Sequence, residues 1–294
     1  MNIYDCFMYF DEDMVLDLRL NILNQYVKKF IIAESTYTHN GRIKELKFNI
    51  NNFKNFKNKI EYIVVDKVPD DLQEINNDDD IKVSNSKILG NALKRENFQR
   101  NALAQGLEDV LDDDLIIISD VDEIPNLKNL DFNKKINIFD QGMFYYKFNL
   151  KQPNLRWFGS RACKKKHLLS PQWLRNIKDK SYPLWRLDVL FSKNKYFNIN
   201  IIKNGGWHFT SIKSPKDIIH KLSSFLHHLE YEESGVNIET MKKKIENKKV
   251  LYDHSLDKKS NKWNSEISLI KSNDDELPEY LIKNKVKYIN WMEE

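Results

Sequence analysis

The stretch Leu115-Ile116-Ile117-Ile118-Ser119-Asp120-Val121-Asp122-Glu123-Ile124-Pro125 decides the fold. A short, wholly apolar run bounded by polar residues is the pattern of a strand buried on both faces, and such strands belong to parallel sheets covered by helices. Asp112-Asp113-Asp114 lead into the run, three carboxylates crowd its exit, and Pro125 fixes the direction in which the chain leaves.

Similar runs lie on the N-terminal side. Ile3 to Phe10 is apolar and aromatic, Phe30-Ile31-Ile32-Ala33 is continuous and ends in Glu34-Ser35-Thr36, and Ile60 to Val65 is a third strand candidate; Met143 to Leu150 is another, on the far side. Between the first two, Asp11-Glu12-Asp13 open a helix, because carboxylates favour the positive end of its dipole. From Pro69 to Ser86, with the run Asn76-Asn77-Asp78-Asp79-Asp80, the pattern predicts a solvated loop. A helix is expected from about Ile88 to Leu111, with Leu89, Ala92, Leu93, Phe98, Leu103, Leu107 and Val110 on or near its inner face. Lys216 to Tyr231 and Glu239 to Tyr252 read as helices, and the polar tail from about Asp253 carries Trp263, Tyr280, Tyr288 and Trp291 as aromatic anchors.

Alternating strands and helices specify the α/β class: a mostly parallel, Rossmann-related sheet flanked by helices, with a helical C-terminal extension. The expected organisation is one domain over 1–230 and a wrap-around extension of it over 231–294. Ligands of such sheets bind beyond the carboxyl ends of the strands, which places Glu34 and Asp120 to Glu123 at the functional edge.

The bulk properties agree with an enzyme-sized globular unit. The 294 residues are 41% hydrophobic, enough for a sizeable core. A net charge of +4, from 47 basic and 43 acidic residues, is spread along the chain and argues against a nucleic-acid partner. The two cysteines, Cys6 and Cys163, make no Cys-x-x-Cys spacing, so no zinc or redox motif is expected and a reducing compartment is favoured. Met1 to Cys6 lacks the basic-then-apolar order of a leader, and no run approaches the ~20 apolar residues of a spanning helix. The expectation is a soluble, cytoplasmic protein of bacterial or viral origin.

Two carboxylates at i and i+2, just past a buried strand, can converge on one hard cation. Asp120 and Asp122 are therefore candidate ligands for Mn²⁺ or Mg²⁺, with coordination positions left for the phosphates of a leaving nucleoside diphosphate. Alone, Asp-x-Asp fits a polar turn equally well. A phosphatase of the haloacid-dehalogenase type also uses it, but wants Thr or Val where this chain has Ile124. The preceding helix adds Arg95, Gln99, Arg100 and Asn101, which suit a diphosphate or the edge of a base. In Gly205-Gly206-Trp207-His208-Phe209, two of only 8 glycines allow close backbone approach, Trp207 offers a stacking surface for sugar or base, and His208 is a third metal-ligand candidate. Downstream, Lys221 suits a diphosphate, and His220 and His227 lie two turns apart on the same expected helix.

Taken in order, Asp5-x-x-x-Tyr9-Phe10, Arg19-Leu20-Asn21, Phe30 to Ser35, Arg95-Glu96-x-x-Gln99-Arg100-Asn101-Ala102-Leu103, Ser119 to Pro125 and Gly206-Trp207-His208-Phe209 resemble glycosyltransferase family 17, from about Asp5 to Tyr231. The resemblance implies a GT-A-like fold, a UDP-sugar donor such as UDP-GlcNAc, a divalent metal, and transfer with inversion to a glycan acceptor. It implies Asp120 and Asp122 as the metal and diphosphate motif, Glu34, Arg95, Gln99, Arg100 and Asn101 as donor-pocket lining, and His208 as a metal or diphosphate contact. An inverting transferase needs a general base for the acceptor hydroxyl. Asp188, in Trp185-Arg186-Leu187-Asp188, is the first candidate, with Glu123 and Asp217 as alternatives. Acceptor specificity is expected in the segment 161–188 and in the acidic loop. The competing readings are a non-catalytic carbohydrate-binding protein, which has no need of Asp-x-Asp beside an Arg/Gln/Asn helix, and a sugar-phosphate nucleotidyltransferase, which wants a Gly-rich loop where Met8-Tyr9-Phe10-Asp11 stands.

Overall fold

The computed structural model of the chain describes all residues except 129, 131, 133, 181, 226, 227, 257–261 and 264. In chain order the elements are β1 (Ile3–Met8), α1 (Asp13–Leu23), β2 (Lys29–Ser35), β3 (Ile60–Val65), α2 (Ile81–Ala102), β4 (Leu115–Asp120), β5 (Glu123–Pro125), β6 (Ile136–Tyr145), β7 (Leu150–Lys151) and β8 (Trp157–Lys164). Then follow α3 (Pro171–Asn176), β9 (Ile199–Ile202), β10 (Gly206–Thr210), α4 (Pro215–Ser224), α5 (His228–Ser234), α6 (Ile238–Glu246), β11 (Ile270–Lys271) and α7 (Glu279–Lys283).

The strands form one sheet whose main path runs β11-β7-β6-β8-β4-β1-β2-β3. Its N-terminal half, β3-β2-β1-β4, is parallel throughout. Beyond β4 the order changes character. β8 runs antiparallel to both β4 and β6, while β9 and β10 run parallel to β6. The α/β class is as expected; the sheet is mixed rather than mostly parallel. The connections differ accordingly: each parallel step in the first half spends a helix or a long crossover, whereas β7 and β8 follow β6 through short loops and run antiparallel to it.

The all-apolar run of β4 is buried on both faces, with Leu115, Ile116, Ile117 and Ile118 at 1% exposure or less. Alternation along β1 sends Phe7 and Tyr9 into one core and Tyr4 and Cys6 into the other, so helices cover both sides. A third cluster joins Met143, Tyr145 and Leu150 to Ile218, Met241 and Trp263. The tail returns to the sheet: Phe148 N–H donates to the Trp291 carbonyl, and the Tyr288 hydroxyl donates to Asp17 on α1 at 2.7 Å. Cys6 and Cys163 are both buried free thiols. Among the described residues no helix is long and apolar enough to cross a membrane.

Several expected boundaries shift: the strand expected over Met143 to Leu150 is the end of β6, which stops at Tyr145, and the helix expected to reach Leu111 ends as α2 at Ala102. α2 begins at Ile81 rather than near Ile88, because the Asp80 carboxylate accepts from the Lys82 and Val83 amides and caps the helix inside the acidic run. The expected helix from Lys216 stops at Ser224, where Phe225 turns extended, and the one from Glu239 ends at Glu246. His227, and with it the expected pairing with His220, lies outside the described residues. The largest correction concerns the face of α2. Leu89, Leu93 and Phe98 point outward at 38–45% exposure, while Asn91, Gln99 and Arg100 are buried. A helix that turns polar groups inward and apolar ones outward is shaped by a site rather than by a core.

Candidate functional site

The strand order 3-2-1-4 reverses between β1 and β4, and their carboxyl ends are in register, Met8 beside Asp120. Crossovers on the two sides of that point lead away in opposite directions and leave a crevice, where ligands of α/β sheets bind. The acidic turn therefore sits at the topological switch point.

Arg19 of α1 builds that turn from beneath. It is fully buried, pairs with both oxygens of the equally buried Asp5 at 2.6 and 2.8 Å, and lies 4.4 Å from the centre of the Phe7 ring. Its remaining N–H groups donate to the carbonyls of Asp120, Val121 and Glu123 and to the Ser119 hydroxyl. One guanidinium thus serves three backbone acceptors of the turn, of which the Glu123 carbonyl also accepts from the Ser160 hydroxyl.

The three carboxylates of the turn divide. Glu123 is wholly buried and structural: its oxygens accept from the Asp120 amide, the Trp157 indole and the Arg175 guanidinium. Asp120 meets Arg100 at 3.1 Å and Arg175 at 2.9 Å. Burial opposes its charge, but the two guanidiniums prevail and hold its carboxyl down at about 2. Asp122 meets Lys221 of α4 at 3.2 Å and His208 Nε2 at 3.4 Å. Burial again opposes ionisation, and the Lys221 ammonium and His208 overcome it, far below the usual carboxylate range. Lys221 also reaches Glu12 at 3.3 Å, and against the pull of burial those two carboxylates raise its pKa. Glu12 is fixed in turn by the Phe10 and Asp11 amides.

His208 reaches Asp122 because β10 is wedged between β5 and β6, with His208 opposite Glu123, and because Phe209 N–H donates to the Asp122 carbonyl. That wedge needs Gly206, whose φ is +134° and where a Cβ would lie 2.1 Å from the Ile124 carbonyl. The close approach expected of this glycine pair is present. Gly206→Ala should destabilise the fold by roughly 2–4 kcal/mol, because it adds left-handed strain to a backbone clash; chemical denaturation measures it.

Above the turn lies a cavity of about 250 Å³. Its charged lining includes Asp120, Asp122, His208, Lys221, Arg100 and Glu12. Beside them Phe10 and His39 pack on Phe225, with ring centres 5.3 and 5.4 Å away, and the Lys221 ammonium lies 5.2 Å from the Phe225 ring centre. Gln99 and Ser35 form the floor: Gln99 donates to the Ala33 carbonyl and its oxygen meets His39 Nε2 at 3.2 Å. Burial holds His39 below its ordinary pKa.

The sequence candidates are thus only partly assembled. Asp120, Asp122, His208, Gln99, Arg100 and Lys221 line the cavity. Glu34 does not: fully buried, it anchors the segment after β2 by accepting from Lys44, the Lys47 and Phe48 amides and the Tyr62 hydroxyl. Arg95 donates to the His39 carbonyl from behind the cavity wall. Asn101 is exposed and accepts from the Gln172 amide. Trp207 is no stacking platform, since it packs against the core and its indole donates to the Glu276 carbonyl at 2.7 Å. Trp207→Phe should therefore cost about 1 kcal/mol of stability and leave nucleotide affinity unchanged, as denaturation and titration would show.

Of the base candidates only Asp217 lines a cavity. Asp188 is half-exposed, paired with Arg186 and Lys195, and lines neither this cavity nor the smaller one beside it. Asp188→Asn is expected to leave turnover unchanged in a steady-state assay. Glu123 is consumed by Arg175 and Trp157, whereas Asp217, which accepts from Ser214 at the start of α4, lines the smaller cavity, which shares Glu12, Asp122 and Lys221 with the first. Each carboxylate lining the cavity faces a cation: Glu96 pairs with Arg100, Glu12 with Lys221. Several cavity or cavity-edge residues were not anticipated, Lys44 and Phe225 among them. Glu12 was read as a helix opener, His39 had no pattern around it, Glu96 sat unremarked in the Arg95-Glu96 pair, and Arg175 lies in a segment without a recognised motif.

A model of glycosyltransferase family 17 matches residues 1–160, more than half of the chain. No curated protein matches.

Proposed function

The chain belongs to glycosyltransferase family 17, and from that membership we propose that it moves a sugar, GlcNAc or a related hexose, from a UDP-sugar to a glycan acceptor with the help of Mn²⁺ or Mg²⁺. The observation that carries the reading is the joint lining of one cavity by rings and fixed cations. Phe10, His39 and Phe225 line it together with Arg100 and Lys221, and the Lys221 ammonium lies 5.2 Å from the centre of the Phe225 ring. A nucleoside diphosphate asks for both, apolar contact for its base and cations for its concentrated negative charge.

Asp122 and His208 would hold the metal. A carboxylate oxygen and an imidazole nitrogen converge at 3.4 Å, a donor pair that suits Mn²⁺. Among the described residues no group of three or more potential ligands exists. That fits an ion of this class, which takes one or two protein ligands and fills its shell with phosphate oxygens and water. When bound, the ion would supply Lewis-acid stabilisation of the departing diphosphate. The chain's own residues do the rest. Lys221, locked between Glu12 and Asp122, offers a positive charge that costs no reorganisation as the diphosphate leaves. Arg175 and Arg100 hold Asp120 anionic and in place, so that it can accept from a donor hydroxyl.

The test is a panel of UDP- and GDP-sugars assayed for nucleotide release with Mn²⁺. Release from one or more UDP-sugars is expected. Neither release nor binding of any UDP-sugar would overturn the donor assignment.

A further inference from the structure

Between α3 and β9 the chain makes a loop closed at its neck by two hydrogen bonds, Lys178 N–H to the Asn194 carbonyl at 2.8 Å and the Trp173 indole to the Lys193 carbonyl at 2.7 Å. Its crest, Leu184 to Phe191, presents five large apolar side chains to solvent: Leu184 at 84% exposure, Trp185 at 76%, Leu187 and Leu190 at 66%, and Phe191 at 88%. Only Val189 turns inward, at 4%. The crest is ordered by its own polar groups, since Asp188 bridges Arg186 and Lys195, and both cations lie near the Tyr182 ring. This is an apolar tip held outward, not a core segment lacking its partners. Exposed apolar patches of this density mark interaction surfaces.

We propose that this crest inserts into an anionic lipid surface and holds the enzyme at a membrane. Charge decides the partner. Lys178, Lys180 and Lys193 are exposed around the base of the crest, where they outnumber the half-buried Asp179, and the only acid on the crest itself, Asp188, is neutralised by its two cations. Trp, Phe and Leu flanked by Lys and Arg is the composition of segments that seat in the headgroup region and draw on anionic lipids. A second copy of the chain fits worse. Pairing two crests would bring like lysine rims together. No crest residue lines either cavity, so occupation of this face is independent of the donor site.

Vesicle co-sedimentation tests the assignment, with phosphatidylcholine vesicles containing phosphatidylglycerol set against phosphatidylcholine alone. The expected result is binding to the anionic vesicles, weaker by roughly tenfold or more on the neutral ones. The combined variant Leu184→Ser, Trp185→Ser, Phe191→Ser should lose most of the binding at unchanged thermal stability, as should Lys178→Glu, Lys180→Glu, Lys193→Glu. Failure of the wild-type protein to bind anionic vesicles, or equal binding by both variants, would overturn the proposal. So would a lipid-free dimer seen by sedimentation that the serine variant abolishes, which would assign the crest to a second copy. Nucleotide binding by both variants should stay at the wild-type level, which separates this outcome from any failure of the donor-site reading.

Discussion

Arg19→Leu is expected to cost about 3–5 kcal/mol, most of the stability of an ordinary domain. The substitution leaves Asp5 as a fully buried, unpaired carboxylate and removes the donor from the carbonyls of Asp120, Val121 and Glu123. An unpaired charge in the interior is the costlier part, so the double variant Asp5→Leu, Arg19→Leu should be more stable than Arg19→Leu alone. It should not recover activity, because the Asp120 and Val121 carbonyls that shape the acidic turn still lack their donor. Denaturant unfolding of the three proteins and an assay of the double variant check both halves. A single variant as stable as wild type would mean that the turn is held by something other than this guanidinium.

The second large effect is on catalysis. Asp122→Asn should lower turnover by roughly a thousandfold or more, on the scale of losing a charged group that acts directly on the developing transition-state charge. Folding should survive: Lys221 keeps Glu12 at 3.3 Å, and the Phe209 amide still finds the carbonyl of residue 122. The loss should therefore appear in kcat/KM with little change in Tm. A variant that keeps a tenth or more of its activity would remove Asp122 from the metal and diphosphate role.

The parts of the fold that could be read from sequence are those fixed by local pattern. β3 matches its apolar run residue for residue, and β4 is the buried strand that its aliphatic run demands. That Asp120 and Asp122 would line a cavity was legible, because ligands of parallel sheets bind beyond the strand ends. What escaped depends on contacts between distant segments. Arg175 reaches Asp120 across 55 positions of sequence, and Glu12 meets Lys221 across more than two hundred. Nothing in the local pattern of either residue announces such a partner. Glu34 and Trp207 misled for the opposite reason. Each has the chemistry of a binding group, but Glu34 is fully engaged by the segment after β2 and Trp207 by the Glu276 carbonyl. The face of α2 was misjudged because apolar spacing predicts burial only where a core lies opposite; here the cavity lies opposite, and Gln99 and Arg100 take the inner positions.

Calorimetric titration of UDP, with Mn²⁺ and with a chelator, is the most direct measurement of the central claim that the cavity is a metal-assisted nucleoside diphosphate site. The account predicts binding that is at least roughly tenfold tighter with Mn²⁺, a gain of about 1.4 kcal/mol, and loss of that gain in both Asp122→Asn and His208→Ala. Binding of UDP that is equally strong in the chelator, or no binding under either condition, would contradict it.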